Sequence, residues 1–267
     1  MNILDEIVNG DIYIRHAVDE TPNGKDFNMH VHDRCEIFYF ISGNAEYLVE
    51  GSVYPLESGS LMIMRPGEAH CIKILNSERY ERYAINFPLW VFDSFDPERR
   101  LMKPFTDRPL GKENIFAIHS LDDVFKSMCE KISDNYAIRL VIMTKLIMLT
   151  DIINSEYKRR TAVDDKPLTM AERIVSYVNR HLTDRLSVPA IAEHFFLSPS
   201  QFSRIFKQAT GAPPWEYITA KRLTAAKEKI RRGVSAQNAA ESCGFGDYSA
   251  FYRAYVKRFG GSPNKAE

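Results

Sequence analysis

The sequence predicts an α+β protein of two domains: a small N-terminal β-barrel with a helical connector, then an all-α domain with two helix-turn-helix units. Three observations carry that expectation. Short apolar segments broken by Gly, Pro, Ser and Asn fill the first hundred residues. A stretch free of Gly and Pro, with helical apolar spacing, runs from Leu121 to Lys158. In the last hundred residues a short helix, a break and a second helix occur twice.

The chain has 267 residues, 45% hydrophobic and 26% charged, which suits a globular protein of about two domains. Thirteen Gly and thirteen Pro are near background and exclude collagen-like and low-complexity classes. The richest apolar stretch, Leu140 to Leu149, is interrupted by Lys145 and falls short of the roughly 18 residues a membrane helix requires. Met1 to Gly10 carries Asp5 and Glu6 and lacks the basic-then-apolar order of a signal peptide. The expected location is therefore the cytoplasm, with no membrane partner. Cys35, Cys71, Cys129 and Cys243 are widely separated, which fits reduced thiols better than a disulfide framework or a thiolate zinc site. Neither G-x-x-x-x-G-K-S/T nor G-x-S-x-G occurs, which disfavours ATPase and hydrolase chemistry.

A net charge of zero conceals an asymmetry. Residues 1–165 hold 19 Lys+Arg and 27 Asp+Glu, a net of −8, whereas residues 166–267 hold 16 and 8, a net of +8. A basic half points to an anionic partner, with nucleic acid or a membrane surface leading and a solvated lysine-rich face as the plain alternative.

Taken in order, Cys35 to Arg65 is rich in Ile, Phe, Tyr, Val and Leu and is punctuated by Ser42-Gly43-Asn44, Gly51-Ser52, Pro55 and Ser58-Gly59, so it reads as short strands joined by tight turns. If Met29 to Ile41 is one regular strand, His30, His32, Glu36, Phe38 and Phe40 share a face, the inside of a small barrel. In the connector, Met128, Ile132, Ile142, Leu146, Leu149 and Ile153 form one apolar stripe and Ile138, Val141, Met148 and Ile152 a second. A helix apolar on two sides packs on the barrel and on a second copy of the chain, which makes a homodimer the expectation; an intramolecular helix hairpin is the alternative. Thr161 to Pro167 reads as an exposed linker, so domain limits of 1–160 and 168–267 follow, with the barrel at about 10–90 and the helices at about 121–158.

Beyond the linker, Ser187-Val188-Pro189 opens a helix at about Ala190 to Phe196, and after Leu197-Ser198-Pro199 a second runs from about Ser200 to Thr210 and ends at Gly211. The plan recurs with Val234 to Ser242, the turn Cys243-Gly244-Phe245-Gly246, and Asp247 to Phe259, Asp247 serving as N-cap. Phe202, Phe206, Phe251 and Tyr255 fall on the buried sides, and small polar and basic residues on the outer sides. Pro214 to Arg232 reads as one helix long enough, about 28 Å, to set two reading helices about one DNA turn apart.

Several of these residues carry a resemblance. Gly24, His30-x-His32 after five residues, Glu36 after three more and Gly43 after six more resemble the first signature of the cupin family. Gly59 and Pro66-Gly67-Glu68-Ala69-His70 resemble a degraded second signature, with one extra residue before the proline and no Asn at the usual place after His70. The resemblance spans about residues 10–90. It implies a ligand-binding set of His30, His32, Glu36, Phe38 and His70. It also implies either a divalent ion held by His30, His32, Glu36 and His70, or the same groups serving only as hydrogen-bonding partners of an organic ligand.

The second resemblance is closer. Ser198-Pro199-Ser200-Gln201-Phe202-Ser203-Arg204-Ile205-Phe206-Lys207, with Gly211, Tyr217-Ile218, Arg222-Leu223 and Ala226, is similar to the first half of the AraC/XylS family DNA-binding domain. Gly244 to Tyr255 and Lys257-Arg258-Phe259-Gly260-Gly261-Ser262-Pro263 are similar to its second half. The chain departs from that pattern at Ala239-Ala240, at Val256 and in ending at Asn264-Lys265-Ala266-Glu267. The resemblance implies a transcriptional regulator that binds double-stranded DNA and is controlled by a small-molecule effector, a sugar or related metabolite, with RNA polymerase as a further partner and no required cofactor. Arg204 and Arg253 would contact bases or backbone; Ser200, Gln201, Ser203, Tyr248, Ser249 and Tyr252 would complete the reading faces. Lys207, Lys221, Lys257 and Arg258 would sit on phosphates. Two other classes stay open: a metal-dependent cupin oxygenase or isomerase that carries a DNA-binding domain, and a barrel that only dimerises.

Overall fold

A computed structural model describes residues 2–24, 27–118, 120–130, 134–160 and 167–264. Nine strands come first: β1 (Asn2–Asn9), β2 (Ile12–Asp19), β3 (Cys35–Ser42), β4 (Ala45–Val49), β5 (Ser52–Pro55), β6 (Ser60–Met64), β7 (His70–Ile74), β8 (Tyr80–Phe87) and β9 (Ile115–Ala117). They form a six-stranded sheet in the order β1-β2-β8-β3-β6-β9 and a three-stranded sheet in the order β5-β4-β7, with antiparallel pairing throughout. The two sheets face one another across Phe38, Phe40, Tyr47, Val49, Met62, Met64, Ile72 and Tyr80.

Period two explains why β3 reads as an unbroken apolar run. Cys35, Ile37 and Tyr39 point outward, into a cluster shared with the connector helices; Glu36, Phe38 and Phe40 point into the barrel. Strand β3 begins at Cys35, so Met29 to Ile41 is not the single regular strand expected. The chain bends at Asp33-Arg34, His30 forms an isolated antiparallel bridge with His70, and the His32 carbonyl accepts from Gly67 N at 2.8 Å. That bend, and not simple alternation, brings the imidazoles onto the face that Glu36 and Phe38 occupy.

The connector divides into separate helices. After a single helical turn α1 (Lys103–Thr106), α2 (Asp122–Met128) stops at Cys129, and α3 (Asn135–Arg159) starts from Asp134, whose carboxylate accepts from Tyr136 N at 3.0 Å. Asp134 restarts the ladder because its side chain satisfies a first-turn N–H. Ile142, Leu146, Leu149 and Ile153 are buried against the outer face of the six-stranded sheet, where Phe125 of α2 stacks on Tyr39 with centroids 4.7 Å apart. Ile138, Val141, Met148 and Ile152 are only half-buried. Ile132, residues 161–166 of the expected linker and the last three residues lie outside the described residues.

The C-terminal domain has six helices: α4 (Met170–Arg180), α5 (Val188–His194), α6 (Pro199–Thr210), α7 (Pro214–Arg231), α8 (Ala236–Ser242) and α9 (Tyr248–Phe259). Helix α4 was not anticipated, although Thr169 and Glu172 form a reciprocal capping box at its start. Helices α5 and α6 form the first unit and α8 and α9 the second, with α7 packed against both. Phe202, Phe206 and Phe251 are fully buried and Tyr255 nearly so. The two-domain α+β architecture with paired helix-turn-helix units is the one the sequence predicts.

Candidate functional site

The barrel holds a cavity of about 540 Å³ that opens to solvent, within the range of small-molecule sites. At one end stand His30, His32, Glu36 and His70, each offering a donor atom within 4.8 Å of the others. The backbone orients the rings. His30 Nδ1 meets the Asn28 carbonyl at 3.2 Å, His32 Nδ1 the Arg34 carbonyl at 2.9 Å, and His70 Nδ1 the Glu68 carbonyl at 2.8 Å. A carbonyl only accepts, so each Nδ1 carries the hydrogen, and the bare Nε2 of the neutral ring is left for the cavity. His32 Nε2 lies 3.0 Å from Glu36 Oε2, and His70 Nε2, buried and without a hydrogen bond, lies 3.6 Å from it.

A carboxylate facing imidazole lone pairs is stable only if a cation, a proton or a metal, lies between them. The titration tendencies agree. Burial raises the Glu36 carboxyl, but the adjoining His32 and His70 rings outweigh it and hold the group well below its ordinary value. Burial lowers His70, yet the Glu36 carboxylate more than compensates and the ring titrates above its usual value. One edge of His30 faces solvent, but the packing around it and the neighbouring His70 charge push it down to about 3.

The loop that presents His70 is pinned from behind. Glu68 and Arg108 form a fully buried two-pronged pair at 2.5 and 2.8 Å, and Glu68 also accepts from Gly111 N and Asn114 Nδ2. Desolvation raises the Glu68 carboxyl, but Arg108 overrides it and draws the group down to about 2.

The same loop meets the C-terminal domain. Glu50, at the β4–β5 turn, is buried with a left-handed φ of 49°. One oxygen accepts from Ala69 N at 2.6 Å and from Lys221 Nζ of α7 at 2.5 Å; the other accepts from Asn179 of α4 at 2.8 Å and from the Tyr217 hydroxyl. Lys221 also donates to the Gly67 carbonyl at 2.7 Å. Gly51 follows with φ 89°, and a Cβ there would stand 3.0 Å from Val175 of α4. Met29, Val31, Leu48, Ala69 and Cys71 of the barrel share one apolar cluster with α4 to α7.

Lys221 is therefore not a phosphate contact, because its ammonium is spent inside the protein. Arg258 donates one guanidinium N–H to the Val31 carbonyl at 2.8 Å and is otherwise exposed. The other expected nucleic-acid residues stand where helical spacing puts them. Ser200, Gln201, Arg204 and Lys207 on α6 and Ser249, Tyr252, Arg253 and Lys257 on α9 are exposed, and Ser203 is half-buried. Tyr248 is half-buried against Phe251. Gln201 closes a capping box with Ser198, its amide oxygen accepting at 3.0 Å, so only its NH2 is free to read a base. Sequence reasoning missed Glu50 and Lys221 as a pair and missed Arg15, Arg34 and Arg82 in the cavity. For Arg82 a signal existed: Arg82, Ala84 and Asn86 alternate with the apolar Tyr83, Ile85 and Phe87.

A cavity-bearing barrel joined through a buried ion pair to two helix-turn-helix units defines a ligand-binding regulator of DNA. An AraC-like ligand binding domain model matches residues 16–142, and a helix-turn-helix domain model matches residues 191–266. The chain belongs to the AraC family of transcriptional regulators. It is 36% identical over 93 residues to a probable transcriptional regulator, LumQ, of Photobacterium leiognathi, covering 34% of this chain and 38% of that one. It is 23% identical to the transcriptional activator RhaS of Escherichia fergusonii, covering 90% of this chain and 87% of the relative. Among solved structures, unsaturated fatty acid-bound ToxT of Vibrio cholerae aligns over 96% of this chain and 94% of its own, at 13% identity and a TM-score of 0.41.

Proposed function

We propose that this protein regulates transcription by coupling occupancy of the barrel to the presentation of its two DNA-reading helices, with a sugar or related metabolite as effector. The observation that carries the reading is the continuous path from cavity to α7. His70 lines the His/Glu cluster; Gly67 and Ala69, on its loop, bond to Lys221 and Glu50; Lys221 lies on the helix that packs on both units. A ligand that moves the loop by an ångström breaks or remakes bonds in a buried ion pair, the kind of two-state element that ligand binding can bias. Coupling is reciprocal, so operator DNA changes effector affinity by the same factor.

Arg204 and Arg253 act as base or backbone contacts and Lys207 and Lys257 as phosphate contacts, from the two exposed helix faces. The half-buried stripe Ile138, Val141, Met148 and Ile152 on α3 pairs with a second copy, which gives a dimer, and RNA polymerase is met on the promoter. The protein works in the cytoplasm, and none of the described helices is long and apolar enough to cross a membrane. His30, His32, Glu36 and His70 fit a divalent ion: donor type, tautomer and the unbonded His70 Nε2 all suit one. Such an ion would organise ligand hydroxyls, with no catalytic step.

The test is recovery of sheared genomic DNA by the purified protein, sequenced with and without a panel of sugars and their derivatives. The expected result is a few sites, each with two half-sites, and an affinity whose logarithm falls by about 0.9 per phosphate neutralised as log salt rises. Uniform recovery, or none, overturns the reading. Metal analysis beside a His32→Ala variant separates regulator from metal-dependent enzyme: DNA binding that survives an empty site favours the former, and turnover that tracks metal content the latter.

A further inference from the structure

Two guanidinium groups in the barrel carry buried N–H donors that the fold leaves unanswered. On β8, Arg82, Ala84 and Asn86 face the cavity, with Tyr80 further along the same face. Antiparallel β2 sets Arg15 opposite Ala84 and Ala17 opposite Arg82, so Arg15 and Arg82 are diagonal neighbours on the concave face, separated by a methyl group. Arg82 lies over the Phe38 ring, its Cζ 5.9 Å from the centroid. Its Nη1, the Nε of Arg15 and the hydroxyl of Tyr80 are buried without a hydrogen-bond partner.

Glu6, Asp11 and Glu36 are already engaged, and Asp19, diagonal to Arg82 from β2, forms no ion pair with it. Glu6 holds Arg15 from one side at 3.0 Å, Asp11 lies 3.8 Å from Arg34, and Glu36 is engaged by His32 and His70. Among the described residues no carboxylate forms an ion pair with Arg82. A buried donor without an acceptor costs on the order of 1–3 kcal/mol, and a guanidinium more, so such a group persists where something else supplies the acceptor.

We infer that the effector is an anion: a polyhydroxylated small molecule whose carboxylate or phosphate oxygens lie between Arg15 and Arg82, its hydroxyls reaching the His/Glu cluster. This rests on the effector reading above and narrows it from sugars at large to sugar acids or sugar phosphates. A planar guanidinium matches a carboxylate or phosphate edge with two parallel N–H donors, whereas a neutral hydroxyl leaves most of its charge unanswered. Phe38 supports the arginine from below, and Ala84 leaves the space an isopropyl group would fill.

The experiment is thermal stabilisation and titration calorimetry of the full chain with pentoses and hexoses, each tested beside its aldonic acid, its uronic acid and its terminal phosphate. The expected result is stabilisation by at least one anionic member that exceeds its neutral parent. Arg82→Gln should weaken that compound at least tenfold, and Arg82→Lys should retain part of the affinity. Far-UV circular dichroism of both variants, and their DNA affinity measured without any sugar or sugar derivative, should match the unaltered protein; with the anionic compound present, the variants should lose its effect on DNA binding. The acid and phosphate arms identify which oxyanion is taken. A neutral sugar that binds as well as its acid or phosphate, or an Arg82→Gln variant within twofold, overturns the inference and leaves the regulator standing. If no member of the panel stabilises the protein, the inference falls, and ligand-indifferent recovery of genomic DNA would bring down the effector reading with it.

Discussion

The two helix-turn-helix units are nearly the same locally and quite different in their surroundings. Helix α6 is capped by Ser198 and ends at Gly211 with φ 80°; helix α9 is capped by Asp247 and ends at Gly260 with φ 76°. Yet the first unit is built against the barrel, sharing an apolar cluster with it, while the second packs on α7 around Leu223, Ala239, Ala240 and Phe251; the hydrogen-bonded hub at Glu50 belongs to α4 and α7. A Cβ at Gly211 would meet Cys71 Sγ of the barrel at 2.5 Å, whereas one at Gly260 would meet nothing within 4 Å. The same motif is thus a fixed half and a carried half: the first unit meets the barrel through a shared apolar cluster, and the second follows mainly through α7, with Arg258 reaching the Val31 carbonyl.

The comparison can be broken most severely at the hub. Lys221→Met should destabilise the barrel-to-domain junction by about 3–5 kcal/mol, because it leaves the Glu50 carboxylate buried without its cation, and Glu50→Gln added to it should restore much of the loss. Hydrogen exchange would localise the effect; faster exchange confined to α8 and α9 would contradict it. In the cores, Phe206→Ala and Phe251→Ala should each cost about 3–5 kcal/mol, since both rings are fully buried. Urea unfolding followed by limited proteolysis should show the first loosening the barrel contact and the second sparing it. On the DNA faces, Arg204→Ala and Arg253→Ala should each weaken operator binding by about 1–3 kcal/mol if each guanidinium contacts a base. A loss of a few tenths in quantitative gel shifts removes that arginine from the reading face. The smallest effect is at Gly260, where Ala should cost about 1 kcal/mol for its positive φ, against a larger loss at Gly211, where Cys71 must also move. Equal melting shifts for the two glycine variants would erase the distinction.

What the sequence discloses follows the range of the forces involved. The paired units are legible because caps, C-terminal glycines and 3.6-residue spacing are local: Ser198, Gly211 and Asp247 act on their own turns. The His/Glu set is legible through spacing, although the bend at Asp33-Arg34 that assembles it leaves no periodic trace. Lys221 misleads a sequence reading for a long-range reason. On an isolated helix it is a basic residue on the DNA-facing half of the chain, and only the barrel, 171 positions away at Glu50, turns it into a buried cation. Glu50 looks like any turn residue, and no local rule marks its carboxylate for burial. Arg82 sits in an alternating pattern that shows which way it faces but not that its neighbours leave it unanswered.

Strand β3 has a consequence for how such a protein diversifies. Its side chains are committed on both faces, Cys35, Ile37 and Tyr39 to the helices and Glu36, Phe38 and Phe40 to the cavity. A substitution that reshapes the cavity from this strand therefore disturbs a densely occupied partition one residue thick. Strands β2 and β8 carry polar residues on the cavity side, at Arg15, Arg82 and Asn86, where replacement exchanges chemistry without emptying a core. New effector preferences in descendants of this chain should accumulate on β2 and β8 while β3 drifts slowly, and saturation mutagenesis scored by folded yield would show the two tolerances side by side.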